Sequence, residues 1–150
     1  MTKTFVTHSS KQTQQIGKDM AASTLPGHPI VLMGDLGSGK TTFVQGFGSY
    51  FGFKRMTSPT YTFIKSYKIT SQISENTSYW INHVDLYRAA TISDIHNLGI
   101  PDLLHDPLSW TLIEWPELIL NLLPKKTIII KFTQSDKNMR KIVVSHNQTI

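Results

Sequence analysis

Ile30-Val31-Leu32-Met33-Gly34-Asp35-Leu36-Gly37-Ser38-Gly39-Lys40-Thr41 decides the fold of this chain. The first four residues form a short apolar run of the kind that builds a buried strand. The next eight match the phosphate-binding loop G-x-x-x-x-G-K-[ST] at every defined position. A helical stretch follows from about Thr41, so strand, loop and helix stand in the required order. Glycines let such a loop curl until successive N–H groups face phosphate oxygens. The helix start adds partial positive charge to the same spot. Lys40 is placed to reach the β- and γ-phosphates, and the Thr41 hydroxyl to hold Mg²⁺. Asp35, Leu36, Gly37, Ser38, Gly39, Lys40, Thr41 and Thr42 are therefore the expected nucleotide-binding residues. A ligand-free glycine turn is the alternative, and the register of strand, loop and helix argues against it.

The chain has 150 residues, 39% of them hydrophobic, which suits one domain spanning 1–150 with a real core. No run approaches the roughly 18 apolar residues needed to cross a membrane. The opening stretch Met1-Thr2-Lys3-Thr4-Phe5-Val6-Thr7 lacks the apolar core of a secretory signal. There are no cysteines, which excludes disulfides, thiolate zinc sites and a cysteine nucleophile, and suits a reducing cytosol. The net charge of +5 is carried mostly by lysine, since Arg55, Arg88 and Arg140 are the only arginines. That balance is compatible with an anionic partner. It fits a soluble basic surface equally well, and no RNA-binding motif accompanies it.

Punctuation along the chain gives the remaining elements. Residues 4–8 read as a strand. Ser9 or Ser10 caps a helix to about Ser23, with Ile16 and Met20 on one face. Gly52 ends the helix that follows the loop. Thr57-Ser58-Pro59-Thr60 breaks the chain before a strand over residues 61–67, rich in aromatic and β-branched residues. Residues 71–78 read as a polar loop, and residues 79–84 return as a strand ending in Asp85. Two short helices over 93–98 and 101–105 flank Gly99. A strand over 110–115 meets Pro116, which opens another helix. Residues 127–132 and 141–145 close the chain as a strand pair. The sum predicts an α/β domain of three layers, P-loop NTPase-like, with a mixed sheet and antiparallel edge strands.

A nucleotide loop needs an acid on a neighbouring strand to steady Mg²⁺ or the attacking water. Glu114 and Asp85 each end an apolar run, and ligands gather at the carboxyl ends of strands in open α/β sheets. Glu114 follows the more buried-looking run and is the favoured metal partner. A capping acid before Pro116 is its plainer reading, and a strand-end Asp is that of Asp85. Thr60 lies where switch-type proteins place hydroxyls that report the γ-phosphate; a plain Ser-Pro turn is the alternative. His83 stands two residues before Asp85, but no second histidine clusters with it, so it makes a weak metal site. Trp80, Trp110 and Trp115 read as core or interface residues rather than stacking platforms.

Guanine recognition needs an Asn-Lys-x-Asp element, and the nearest string, Ser135-Asp136-Lys137-Asn138, has the wrong order. Adenine is favoured. The segments around 7–13 and 131–140 are candidate edges of the adenine pocket. Small-molecule kinases of this size close an arginine-rich lid, which three scattered arginines do not supply. A kinase and a non-hydrolysing nucleotide-binding scaffold remain the rival classes. The first predicts phosphate transfer to an acceptor, the second tight binding without phosphate release.

Four segments together resemble one family: Gly34 to Gly46, Ser58-Pro59-Thr60-Tyr61-Thr62, His83-Val84-Asp85-Leu86-Tyr87-Arg88 and Ile113-Glu114-Trp115-Pro116-Glu117. In this order and spacing they are similar to the bacterial TsaE (YjeE) family, the ATPase of tRNA threonylcarbamoyladenosine biosynthesis. The resemblance covers nearly the whole chain. It implies a small cytoplasmic protein that binds ATP and Mg²⁺ and associates with TsaD-like and TsaB-like proteins, reaching tRNA indirectly through that complex. It implies that Thr41 and Glu114 hold Mg²⁺, that Lys40 and the loop backbone bind phosphate, and that Thr60 and Asp85 lie in switch and catalytic segments. It leaves open whether Asp85 or Glu114 orients the attacking water. Ser38 stands where alanine is common in the family.

Overall fold

A computed structural model describes residues 1–59, 61–70 and 75–147. Its frame is a seven-stranded sheet of β1 (Lys3–Thr7), β2 (Ile30–Met33), β3 (Ile64–Ile69), β4 (Tyr79–Asp85), β5 (Ser109–Glu114), β6 (Ile128–Gln134) and β7 (Arg140–His146). The spatial order is β1-β7-β6-β2-β5-β4-β3. The four central strands, β6-β2-β5-β4, run parallel. The pairings β1–β7, β6–β7 and β3–β4 are antiparallel. The mixed sheet with antiparallel edges is thus as the sequence predicts.

Alternation along the central strands builds two cores. Ile30, Leu32, Leu112, Ile130 and Phe132 face one way and pack with Phe43, Val44 and Phe47 of α2 (Lys40–Tyr50) and Ala21 of α1 (Ser10–Ser23). Val31, Val84 and Ile113 face the other way. They meet Ile95 of α3 (Ile92–Asn97), Ile100 and Leu104 of α4 (Ile100–His105), and Ile119 of a 3₁₀ helix over Pro116–Leu122. A strand that feeds both cores has no exposed face, which is why β2 reads as an unbroken apolar run and why β5 is buried along its whole length, Ser109, Thr111 and Glu114 included.

Helix α1 is capped by the Ser9 hydroxyl, which accepts from the Gln12 amide at 3.2 Å. Its most buried residues are Thr13, Gly17 and Ala21, while Ile16 and Met20 lie half-buried beside them. The small face lets α1 approach α2 closely. A Cβ on Gly46 would stand 2.0 Å from the Gln14 carbonyl oxygen, so only glycine fits there.

Three differences from the sequence reading bear on the site. β3 begins at Ile64 rather than at 61, because Phe63 takes a left-handed φ of 60° and holds Tyr61 and Thr62 in a turn. β5 ends at Glu114, because Trp115 turns left-handed at φ 57° and swings its ring out of the strand. The segment after Pro116 is 3₁₀ rather than α. Thr60 and part of the polar loop expected over 71–78 lie outside the described residues.

Candidate phosphate-binding site

The loop between β2 and α2 sits at the carboxyl edge of the parallel strands. Gly39 caps α2 with a φ of 108°, a conformation that L side chains rarely adopt, which turns the chain into the helix at Lys40. Lys40 is nearly buried, and its ammonium donates to the Gly34 carbonyl and, at 3.0 Å, to that of Asp35. The same ammonium lies 4.3 Å from the centre of the Trp115 ring. Burial lowers the Lys40 pKa from its ordinary value. The charges of Glu114, Asp85, Asp35 and Glu117 oppose that shift. A desolvated cation held by two carbonyls and an aromatic face is poised for a better anion than it now has.

The acids stand on the next two strands, Glu114 on β5 and Asp85 on β4. Parallel pairing sets Asp85 opposite Glu114, and Leu32 opposite Glu114 on the other side. Glu114 is buried, and its Oε1 accepts from the Thr41 hydroxyl at 3.1 Å. The hydroxyl thereby spends its hydrogen on the carboxylate and keeps its lone pairs for a cation. The Thr41 and Ser58 hydroxyl oxygens lie 3.4 Å apart. These hard oxygen donors suit Mg²⁺, which takes one or two protein ligands and completes its shell with phosphate and water. Among the described residues no three His, Cys, Asp or Glu gather as a metal cluster, so a cation here depends on this pair and on a bound phosphate.

The elements enclose a cleft of about 290 Å³ floored by the loop from Leu36 to Thr42. Ser58, Asp85, Glu114 and Trp115 line one side; His8, Ser9, Ser10 and Thr13 line another. Asn138 and Arg140 close the edge, and Arg140 Nη2 donates to the Gly37 carbonyl at 3.4 Å. The expected adenine edges, 7–13 and 131–140, thus supply residues that border this cleft. Asp35 does not line it, and acts through its carbonyl, which accepts from Lys40 and from the Ser38 amide at 3.2 Å. Leu36 projects at the lip, while the Ser38 hydroxyl is buried without a hydrogen-bond partner among the described residues.

Sequence reasoning missed two residues here. Trp115 reads as core or interface, yet it lines the cleft beneath Lys40, because the left-handed turn after β5 redirects it. Its position directly after the favoured acid was the available signal. His83 reads as a lone histidine, yet its Nε2 lies 2.8 Å from Glu114 Oε1. Only the β4–β5 register, which sets His83 opposite Leu112, brings the two together. Arg88, the sole arginine in the later motifs, sits over the Tyr61 ring at 4.9 Å and is not among the cleft's lining residues.

Asp85 carries a pH signature. Burial raises its carboxyl pKa, with Glu114 adding to the rise; the Tyr87 amide, His83 and Lys40 pull it down. A raised folded pKa favours folding while the group is protonated. That contribution is lost as pH rises through the folded value. At neutral pH the ionised carboxylate therefore weighs against the ligand-free fold. Asp85→Asn keeps an oxygen for the Tyr87 amide, which Asp85 Oδ1 now accepts at 3.0 Å. Thermal melts are expected to show a small gain at neutral pH, about 0.5 kcal/mol or less because the group is partly exposed. The gain should fade as pH falls into the carboxylate range. A lower melting temperature at neutral pH would contradict this sign.

Strand, glycine loop, helix and acid-tipped neighbouring strands define a P-loop-type α/β fold. The family model described as "Threonylcarbamoyl adenosine biosynthesis protein TsaE" matches residues 7–142. The chain belongs to the TsaE family, proteins of tRNA threonylcarbamoyladenosine biosynthesis. The protein of that name from Rickettsia bellii is 34% identical over 137 residues, covering 90% of this chain and 89% of its own. That from Bacillus subtilis is also 34% identical over 137 residues, covering 91% and 80%. The crystal structure of Bacillus subtilis YdiB superposes with a TM-score of 0.77 at 28% identity, covering 97% of this chain and 86% of that one. Among the described residues no helix is long and apolar enough to cross a membrane.

Proposed function

We propose that this chain is one ATPase domain that binds ATP with Mg²⁺ and hydrolyses it to drive threonylcarbamoyladenosine modification of tRNA. The observation that carries this reading is the Thr41–Glu114 hydrogen bond at the floor of a phosphate-loop cleft. It joins the loop's hydroxyl to the neighbouring strand's acid, the pairing that nucleotide hydrolysis needs. The loop amides and Lys40 bind the phosphates, with Lys40 leaving the carbonyls of Gly34 and Asp35 for the β- and γ-phosphates. Thr41 and Glu114 hold the Mg²⁺, which neutralises charge on the phosphates. Asp85 or Glu114 orients the attacking water, and Thr60 with the Ser58 segment senses the γ-phosphate.

The domain acts in the cytoplasm on a TsaB–TsaD type complex and reaches tRNA through it. Among the described residues Lys40 and Arg140 are the only Lys or Arg lining the cleft, Arg140 at its edge on the Gly37 carbonyl, while Arg88 sits outside it over Tyr61. Turnover alone is therefore slow. Titration calorimetry with ATP, with and without Mg²⁺, tests the nucleotide reading. Saturable binding that strengthens with Mg²⁺ and is weaker for GTP is expected. No binding, or equal preference for GTP, would contradict it.

A further inference from the structure

His83 lies in the middle of β4 and is fully buried, an expensive place for an imidazole unless it is used. Its Nε2 meets Glu114 Oε1 at 2.8 Å, on the oxygen that also accepts from Thr41. Its Nδ1 has no hydrogen-bond partner among the described residues. A carboxylate can only accept, so the ring donates from Nε2. Among the described residues the bond to Glu114 is thus the one hydrogen bond of this side chain.

The bond also has a directional consequence. Glu114 ends β5, just before the left-handed turn at Trp115, with Leu32 of β2 opposite it on one side and Asp85 of β4 on the other, so its backbone is fixed by the sheet. The position of the carboxylate still depends on its own hydrogen bonds, and the Thr41 hydroxyl meets it from the loop side. His83 approaches from within the sheet, and the two donors converge on Oε1. Neither bond falls on Oε2.

We infer that His83 is a positioning residue: it fixes the Glu114 carboxylate so that Thr41 and Glu114 are preorganised to hold the cation of a bound nucleotide. This rests on the ATPase reading above. Partners that orient a metal-site carboxylate typically affect metal affinity or activity by about 10- to 100-fold.

Three full-length variants test it: His83→Ala, His83→Leu, which restores bulk without a donor, and His83→Gln, which restores a donor on a flexible stem. Two readouts are needed, the Mg²⁺ dependence of ATP binding by calorimetry and steady-state phosphate release. His83→Ala and His83→Leu are expected to need about tenfold more Mg²⁺ for half-maximal ATP binding. Their kcat should fall at least about tenfold at saturating MgATP, and His83→Gln should recover part of both losses. Wild-type Mg²⁺ dependence and kcat in a folded His83→Leu would overturn the inference and leave the ATPase reading standing. Equal losses in His83→Leu and His83→Gln would overturn it too, as would loss of fold in all three, which would assign His83 to packing. Wild-type protein that neither binds nor hydrolyses MgATP would remove the ATPase reading and this inference together.

Discussion

Lys40→Ala is expected to cut ATP turnover by at least about 100-fold, the scale of losing one preorganised transition-state donor. ATP affinity should fall as well, because the ammonium is the one cation seated inside the loop among the described residues. Its present partners explain why the effect should be large. Two loop carbonyls and an indole face hold it at the cleft floor, already desolvated, so little reorganisation is needed when phosphate arrives. Lys40→Arg should not rescue, since a planar fork does not fit a pocket built for a point charge. The substitution should leave the fold intact, which circular dichroism would check. Undiminished turnover in the folded variant would remove Lys40 from the chemistry.

Glu114→Gln separates binding from turnover. The amide oxygen can still accept from Thr41 and His83, so the hydrogen-bond frame survives while the negative charge is lost. Turnover should drop on the order of 100-fold, and more than ATP affinity, because the loop and Lys40 still hold the phosphates. Glu114→Ala is a poorer probe. It strands the fully buried His83 ring, and an unsatisfied buried group costs about 1–3 kcal/mol of stability. Unchanged turnover in Glu114→Gln would leave Asp85 as the acid that matters.

Much of this was legible in the sequence because its strongest signals are local. The loop carries its own glycines, and β2, β5 and α2 announce themselves by apolar continuity and by Gly52. Asp85 and Glu114 could be paired as candidates because both end apolar runs. Their direct opposition required the sheet order, which places β4 beside β5 although α3 and α4 intervene in sequence. What stayed hidden depends on long-range register or on strained backbone. His83 reaches Glu114 only through the β4–β5 pairing, and Trp115 reaches Lys40 only through a left-handed turn that an aromatic residue rarely adopts. The buried face of α1 was obscured for a related reason. Thr13, Gly17 and Ala21 carry little hydrophobic signal, yet small residues are what a close helix crossing requires.

The central claim is that this cleft hydrolyses ATP under the control of a tRNA-modifying assembly. Phosphate release by the purified chain, measured alone and with TsaB-type and TsaD-type proteins plus tRNA, tests it most directly. A slow rate alone and a rise of tenfold or more with the partners is the expected result, because an added cation or repositioned water can supply about 10³-fold or more. Loss of that rise in Lys40→Ala would locate it in this cleft. A rate that is the same with and without the partners would contradict the account.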